Sequence, residues 1–276
     1  MAVYRETDGH IVREYALEIG DLVRKQTERA LLEIVPTKSY GRAVFLDNQL
    51  QLTEADEYVY HEMLVHPCFT FATKRWNICI FGGGDGCAVR EVLKWPEVKS
   101  VDLIDWDKEL TEMFQVEYGD MNGFALQDPR VQIETADLRT LKKEQRSYDC
   151  ILMDLIDLDP TVDEQRELWL DAIRLLKAWT VPGGAFVINL GGITPWETST
   201  AAWAKETVEK ELSWTVRLSK VFVPSFGREW CFLLATTNEL PCAEELPSSL
   251  RYASDETIAQ AFTWSPDYLQ RLNPSS

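Results

Sequence analysis

The side chains best placed to do chemistry in this chain are carboxylates at the ends of apolar runs. Trp76-Asn77-Ile78-Cys79-Ile80 leads into Phe81-Gly82-Gly83-Gly84-Asp85-Gly86, and residues 88–94 follow with helical character. A short β-rich run, a glycine turn and a helix form a unit whose backbone can press against a ligand. Asp85 inside the turn would repel a pyrophosphate, so the turn suits a ligand bearing hydroxyls or positive charge. Nineteen residues after Gly86, the run Ser100-Val101-Asp102-Leu103-Ile104 ends in Asp105. An acid at the tip of the second strand is where nucleoside-binding α/β folds hold the two ribose hydroxyls, because a carboxylate can accept both protons. Two further runs end the same way, Val131-Gln132-Ile133-Glu134-Thr135-Ala136 in Asp137 and Tyr148-Asp149-Cys150-Ile151-Leu152-Met153 in Asp154. Four strands in order, each with an acid at or just beyond its C-terminal end, define an acidic cleft along one edge of a sheet.

The elements that must position these acids follow from the rest of the chain. Its 276 residues are 45% hydrophobic and 26% charged, a globular composition with material for one large core and a small appendage. The fold class expected is α/β, a Rossmann-like methyltransferase-type sheet preceded by a small antiparallel β domain. The boundary is drawn between residues 1–60 and 61–276. In the first part, residues 13–19 and 30–35 are strand-like. Residues 40–51 read as strand, turn and strand with Asp47-Asn48 at the bend, and helical spacing runs from about Glu54 to His66. In the second part a fifth strand covers residues 184–189. Residues 216–223 and 230–236 make an antiparallel pair at the sheet edge, and 161–165 form a polar loop after the fourth strand.

A net charge of −17 argues against a basic nucleic-acid surface and favours cationic ligands. No apolar stretch reaches the ~18 residues of a membrane span. Six scattered cysteines without a CxxC pair, and a polar first segment without a signal-peptide core, imply a reduced, cytoplasmic protein. His61-Glu62-Met63-Leu64-Val65-His66 looks like a zinc motif, but its i,i+5 spacing does not put two ligands on one helix face, so no metal is expected.

Taken together, several segments resemble the polyamine aminopropyltransferases, the spermidine, spermine and thermospermine synthase family. They are residues 41–47 (GRAVFLD), 51–57 (QLTEADE), 60–67 (YHEMLVHP), 82–86 (GGGDG), 90–94 (REVLK), 128–131 (DPRV), 250–252 (LRY) and 259–262 (AQAF). The resemblance implies a decarboxylated S-adenosylmethionine co-substrate, no permanently bound cofactor, a polyamine acceptor and a homodimer. It implies donor contacts from Gln51, Gly82, Gly83, Gly84, Asp85, Asp105, Asp137 and Leu138. Asp154 is then the catalytic aspartate with Tyr60 beside it, and His61, Asp157, Asn189, Phe226 and Trp230 face the acceptor.

The sequence departs from the common family pattern at the acceptor side and at the adenine site. Asp-Ser-Ser-Asp-Pro is replaced by Asp154-Leu155-Ile156-Asp157-Leu158-Asp159-Pro160, an Asp-Gly pair by Asp137-Leu138, and a glutamine by Asn189. Pro224-Ser225-Phe226 with Trp230 resembles the late loop of thermospermine and spermine synthases, and Leu155 after the catalytic acid and aspartate rather than glutamate at position 105 lean the same way, to a triamine acceptor. Asp159 and Glu229 are further candidates to meet an amine. A putrescine-using spermidine synthase, a small-molecule N-methyltransferase and a non-catalytic homologue are the alternatives.

Overall fold

The computed structural model describes residues 2–8, 11–143, 145–155, 162–242 and 245–272. The chain begins with a β hairpin, β1 (Val3–Asp8) and β2 (Ile11–Ala16), followed by a four-stranded antiparallel sheet of β3 (Val23–Gln26), β4 (Leu31–Thr37), β5 (Gly41–Leu46) and β6 (Gln49–Thr53). Asp47 and Asn48 both take positive φ (48° and 65°), the geometry a two-residue hairpin turn requires. The first hairpin lies against this sheet. Tyr4 and Tyr15 pack on Phe45, and their hydroxyls donate to the buried carboxylates of Glu33 (2.6 Å) and Glu6 (2.7 Å).

Next comes α1 (Glu57–Phe71), which contains the expected 60/61 boundary and continues through Pro67, beyond the expected end at His66. Nearly all of its side chains are buried, because it has protein on every side.

The remaining elements alternate strand and helix: β7 (Asn77–Gly82), α2 (Cys87–Leu93), β8 (Ser100–Asp105), α3 (Lys108–Val116), β9 (Val131–Thr135), β10 (Tyr148–Asp154), α4 (Asp163–Trp179), β11 (Thr180–Ile193), α5 (Ser199–Leu212), β12 (Thr215–Val223), β13 (Arg228–Thr236), α6 (Asp255–Ala261) and α7 (Pro266–Leu272). Residues 163–165, expected within a loop, form the first turn of α4; Thr161 lies outside the described residues.

The strands form one sheet in the order β12-β13-β11-β10-β7-β8-β9, parallel from β11 to β9 and antiparallel at β13 and β12. Its central strands are apolar throughout because both faces are covered. Ile78 and Ile80 of β7 with Cys150 and Leu152 of β10 face the core beneath α1 and α2. Cys79 and Phe81 with Ile151 and Met153 face the core beneath α4 and α5. Cys79 and Cys150 are thus packing residues, and both are free thiols.

The chain runs outward from β7 to β8 and β9, then returns to place β10 on the other side of β7. The crevice at the C-terminal ends of β7 and β10 is therefore the switch point where open α/β sheets bind ligands.

Candidate active site

Asp154 and Gly82 end their strands side by side, as register partners of β10 and β7. Only glycine fits at position 82. Its φ is +75°, and a Cβ there would lie 2.1 Å from the carbonyl oxygen of Asp154. Two residues on, a Cβ at Gly84 would lie 2.9 Å from Asp105 Oδ2, so the glycine turn makes room for the Asp154 backbone on one side and the Asp105 carboxylate on the other.

Asp105 accepts the Gly84 amide at Oδ2 (3.1 Å) and the Asp107 amide at Oδ1 (2.8 Å). Burial raises its pKa, the two amides oppose the rise, and the result is about 6. Asp85 turns back on its own loop, where Oδ1 accepts the Cys87 amide at 2.8 Å.

Asp154 is held by Tyr60, whose hydroxyl donates to its Oδ1 at 2.5 Å. Burial pushes Asp154 up to about 6, helped by Asp85 and Asp105 and resisted by His61 and the Tyr60 hydroxyl. A carboxyl at this value is ionised at neutral pH yet basic enough to accept a proton.

His61 is buried next to Tyr60. Its Nδ1 lies 2.8 Å from the Glu57 carbonyl and 2.9 Å from Glu57 Oε2, while its Nε2 faces Asp85 Oδ1 at 3.9 Å. Burial opposes a charge on the ring, but the bond to Glu57 and the charges of Asp85, Glu57 and Asp154 outweigh it and raise the imidazole to about 9.

An aromatic wall closes the cleft on the β13 side. Phe226 and Trp230 lie 4.5 Å apart, and Tyr60 sits edge-on to both at 6.2 and 6.3 Å. Asn189 fixes this wall to the strand ends. Its Oδ1 accepts Trp230 Nε1 (2.7 Å) and the Gly191 amide (2.8 Å), and its Nδ2 donates to the Leu155 carbonyl (3.1 Å).

The structure thus gathers Tyr60, His61, the 82–85 turn, Asp105, Asp154, Asn189, Phe226 and Trp230 around one cleft. Three residues of the expected set are engaged locally. Gln51 donates to the Gln49 carbonyl on its own strand (3.0 Å). Asp137 follows β9, and its carboxylate takes the backbone amide and the guanidinium of Arg139, which hold it below the usual carboxylate range despite some burial. Leu138 opens a 3₁₀ turn and packs against the core beneath α4. Asp157 and Asp159 lie outside the described residues. Glu229 does not project as a free turn carboxylate. It sits on β13, paired with Lys220 and accepting the Tyr268 hydroxyl (2.6 Å).

The two histidines of the apparent zinc motif face different partners. His66 Nε2 lies 3.1 Å from Glu91 and its Nδ1 accepts Trp95 Nε1 (3.0 Å). Glu57, His61 and Cys87 do offer ligand atoms within 4.8 Å of one another. Glu57 is already engaged there, because Arg90 donates to it (2.8 Å) and it holds His61.

Two acids missed by the strand-end pattern support the site from α1. Asp56 Oδ2 accepts the Ser225 amide (2.7 Å) and its Oδ1 the Thr53 hydroxyl (2.6 Å), tying the Phe226 loop to the start of the helix. Glu57 holds His61. An Asp-Glu pair at a helix start reads as ordinary N-terminal acid, so only burial sets these two apart.

Fold and site together define an α/β protein of the Rossmann-like class with a carboxylate-lined, aromatic-walled cleft at its switch point. Comparison with known proteins narrows this. The spermine/spermidine synthase domain matches residues 57–245. The chain is 30% identical over 259 residues to a polyamine aminopropyltransferase of Mycobacterium tuberculosis strain H37Rv, covering 90% of this chain and 48% of that protein. It is 31% identical over 264 residues to polyamine aminopropyltransferase 2 of Caldanaerobacter subterraneus subsp. tengcongensis, covering 91% and 84%. The chain spans about half the length of the first curated relatives it matches. A solved spermidine synthase in complex with the transition state analogue AdoDATO superposes with a TM-score of 0.88 at 21% identity, covering 100% of this chain and 96% of that one. Spermidine synthase from Thermotoga maritima gives 0.84 at 20%, covering 100% and 95%. The chain belongs to the spermine/spermidine synthase family, the polyamine aminopropyltransferases.

Proposed function

We propose that this protein transfers the aminopropyl group of decarboxylated S-adenosylmethionine to a linear polyamine and releases methylthioadenosine. The observation that carries the reading is the Tyr60–Asp154 pair at the switch point, with the Asp154 carboxyl raised to about 6. In this reading Asp105 accepts the ribose hydroxyls, Asp137 with Leu138 borders the base, and Gln51 and the 82–85 turn complete the donor pocket.

A primary amine is mostly protonated at neutral pH and is then no nucleophile. Asp154 takes a proton from the acceptor's ammonium. The freed nitrogen attacks the aminopropyl methylene beside the sulfonium, the carbon–sulfur bond breaks, and its electron pair leaves with methylthioadenosine as a neutral thioether. The positive charge passes from sulfur to the new secondary amine, so the leaving group needs no metal to stabilise it.

The acceptor we propose is spermidine rather than putrescine, in the manner of a thermospermine or spermine synthase. The aromatic surface of Phe226 and Trp230 stands beside Tyr60 and Asp154, and it suits methylenes between charged nitrogens. The family resemblance adds Asp157 as a second acid for the amines in this reading. The proposed working form is a homodimer in the cytoplasm.

Mass spectrometry of products from the decarboxylated donor with equal putrescine and spermidine tests both levels. Spermidine should be extended by one aminopropyl unit. Preferential extension of putrescine would overturn the acceptor, and transfer of methyl from S-adenosylmethionine without aminopropyl transfer would overturn the reaction.

A further inference from the structure

Among the described residues, His61 sets a cationic-capable side chain among the cleft's carboxylates, and Glu57 fixes one edge of its ring. Nδ1 faces two acceptors of Glu57, the backbone carbonyl and Oε2, so it carries a proton. Nε2 faces Asp85 at 3.9 Å and receives no donor. From its own helix the ring meets Glu57 and Tyr60, from the glycine turn it faces Asp85, and Cys87 of α2 lies nearby; the charge of Asp154 on β10 acts on it, and Arg90 of α2 reaches it only through Glu57. Glu57 is itself pinned, because Arg90 donates to the same Oε2 that holds His61, and Arg90 is anchored on the Met121 carbonyl.

We propose that Glu57 is a positioning residue that locks His61 as a permanent imidazolium between Asp85 and Asp154, and that this charge keeps Asp154 a carboxylate, ready to take the acceptor's proton.

The inference rests on the aminopropyl-transfer reading and assigns the base its means of staying ionised. Asp154 is buried next to two other acids, and each of these conditions favours its protonated form. His61 supplies the opposing positive charge from a side chain that cannot leave, because Glu57 holds one edge of its ring. The same charge has a second effect. A cation beside the bound amine also disfavours its ammonium form, so the neutral nucleophile becomes easier to reach. In the alternative role, a neutral ligand with its lone pair on Nε2, Glu57 would orient the same ring, so the charge on His61 is what separates the two roles.

The chain has three histidines, so histidine-selective isotope labelling gives a readable NMR titration of the whole protein without substrate. His61, assigned by loss of its signal in His61→Gln, should remain an imidazolium to about pH 9. In Glu57→Gln its midpoint should fall by at least about one unit, a tenfold loss of proton affinity. Titration of wild-type His61 near the ordinary histidine value would overturn the proposal, and because this reading does not depend on Glu57→Gln, a Glu57→Gln chain that failed to fold would not shield it. The kinetic arm compares pH profiles of kcat/KM. His61→Gln should move the acidic limb upward by about one unit, with activity recovering as pH rises. A loss equal at every pH, with the limb unmoved, would mean contact or packing alone and would overturn it. If wild type transferred aminopropyl to no polyamine, the function reading would fail, and the histidine titration would still decide the charge on His61.

Discussion

Replacing Asp105 with asparagine should separate donor binding from every other property of the fold. The carboxylate uses one edge of each oxygen for the Asp107 and Gly84 amides, at 2.8 and 3.1 Å, and keeps its remaining lone pairs for a diol. Asparagine preserves the shape but has one acceptor oxygen, so one of these amides would face an NH₂ group and the ribose would lose its charged partner. A hydrogen bond to a charged group contributes about 1.5–3 kcal/mol. Methylthioadenosine should therefore bind roughly 10- to 150-fold more weakly to Asp105→Asn. Calorimetric titration at pH 8, with circular dichroism as the control for folding, measures this. The pH dependence provides a second signature. Burial holds Asp105 at about 6, and the ligand needs the ionised form, so protons compete with it. Wild-type affinity should fall as pH drops through 6, approaching tenfold per unit below that, while the variant stays flat. An unchanged Kd in a folded variant would refute the assignment of Asp105, and pH-independent wild-type binding would refute its raised pKa.

Other perturbations reach the supports of the site. Gly82→Ala must either displace Asp154, whose carbonyl would lie 2.1 Å from the new Cβ, or strain the turn at φ +75°; turnover should collapse and unfolding temperature fall, and near-normal turnover in a steady-state assay would contradict the packing described. Glu91, fully buried, is pushed up by burial, but bonds from His66 and Lys94 and the charge of Arg90 outweigh this and hold it at about 2. Its folded value lies below its ordinary one, so its stabilisation is present above the ordinary carboxylate range and is lost as pH falls through about 2. Glu91→Gln should cost about 3 kcal/mol in denaturant unfolding at pH 7, with the difference closing as pH is lowered through that window.

What the sequence made legible was the half of the site that lies on buried parallel strands. Runs such as Cys150-Ile151-Leu152-Met153 are apolar on both faces, so their ends, and the acids there, stand out. The turn after β12 was also readable, because two strand patterns flank it, although the second strand begins at Arg228 rather than at Trp230. The hairpin of β1 and the short β3 were not, since Val23-Arg24-Lys25-Gln26 is half exposed and carries no periodic apolar signal. The roles of Asp56 and Glu57 were hidden for a different reason. Both belong to a helix buried on nearly every side, and such a helix has no polar face to distinguish a solvated acid from a bonded one. Asp137 marks the limit of strand-end reasoning. The spacing located it correctly after β9, but could not show that Arg139, two residues away, occupies its oxygens.

The most direct measurement of the central claim is single-turnover aminopropyl transfer by Asp154→Asn with methylthioadenosine binding measured on the same preparation. The substitution keeps the side chain's size and its place beside Tyr60 but removes the group that takes the proton. Transfer should fall by about 10²–10⁴, the usual range for loss of a positioned base, while the nucleoside still binds. Transfer at the wild-type rate would contradict Asp154 as the base.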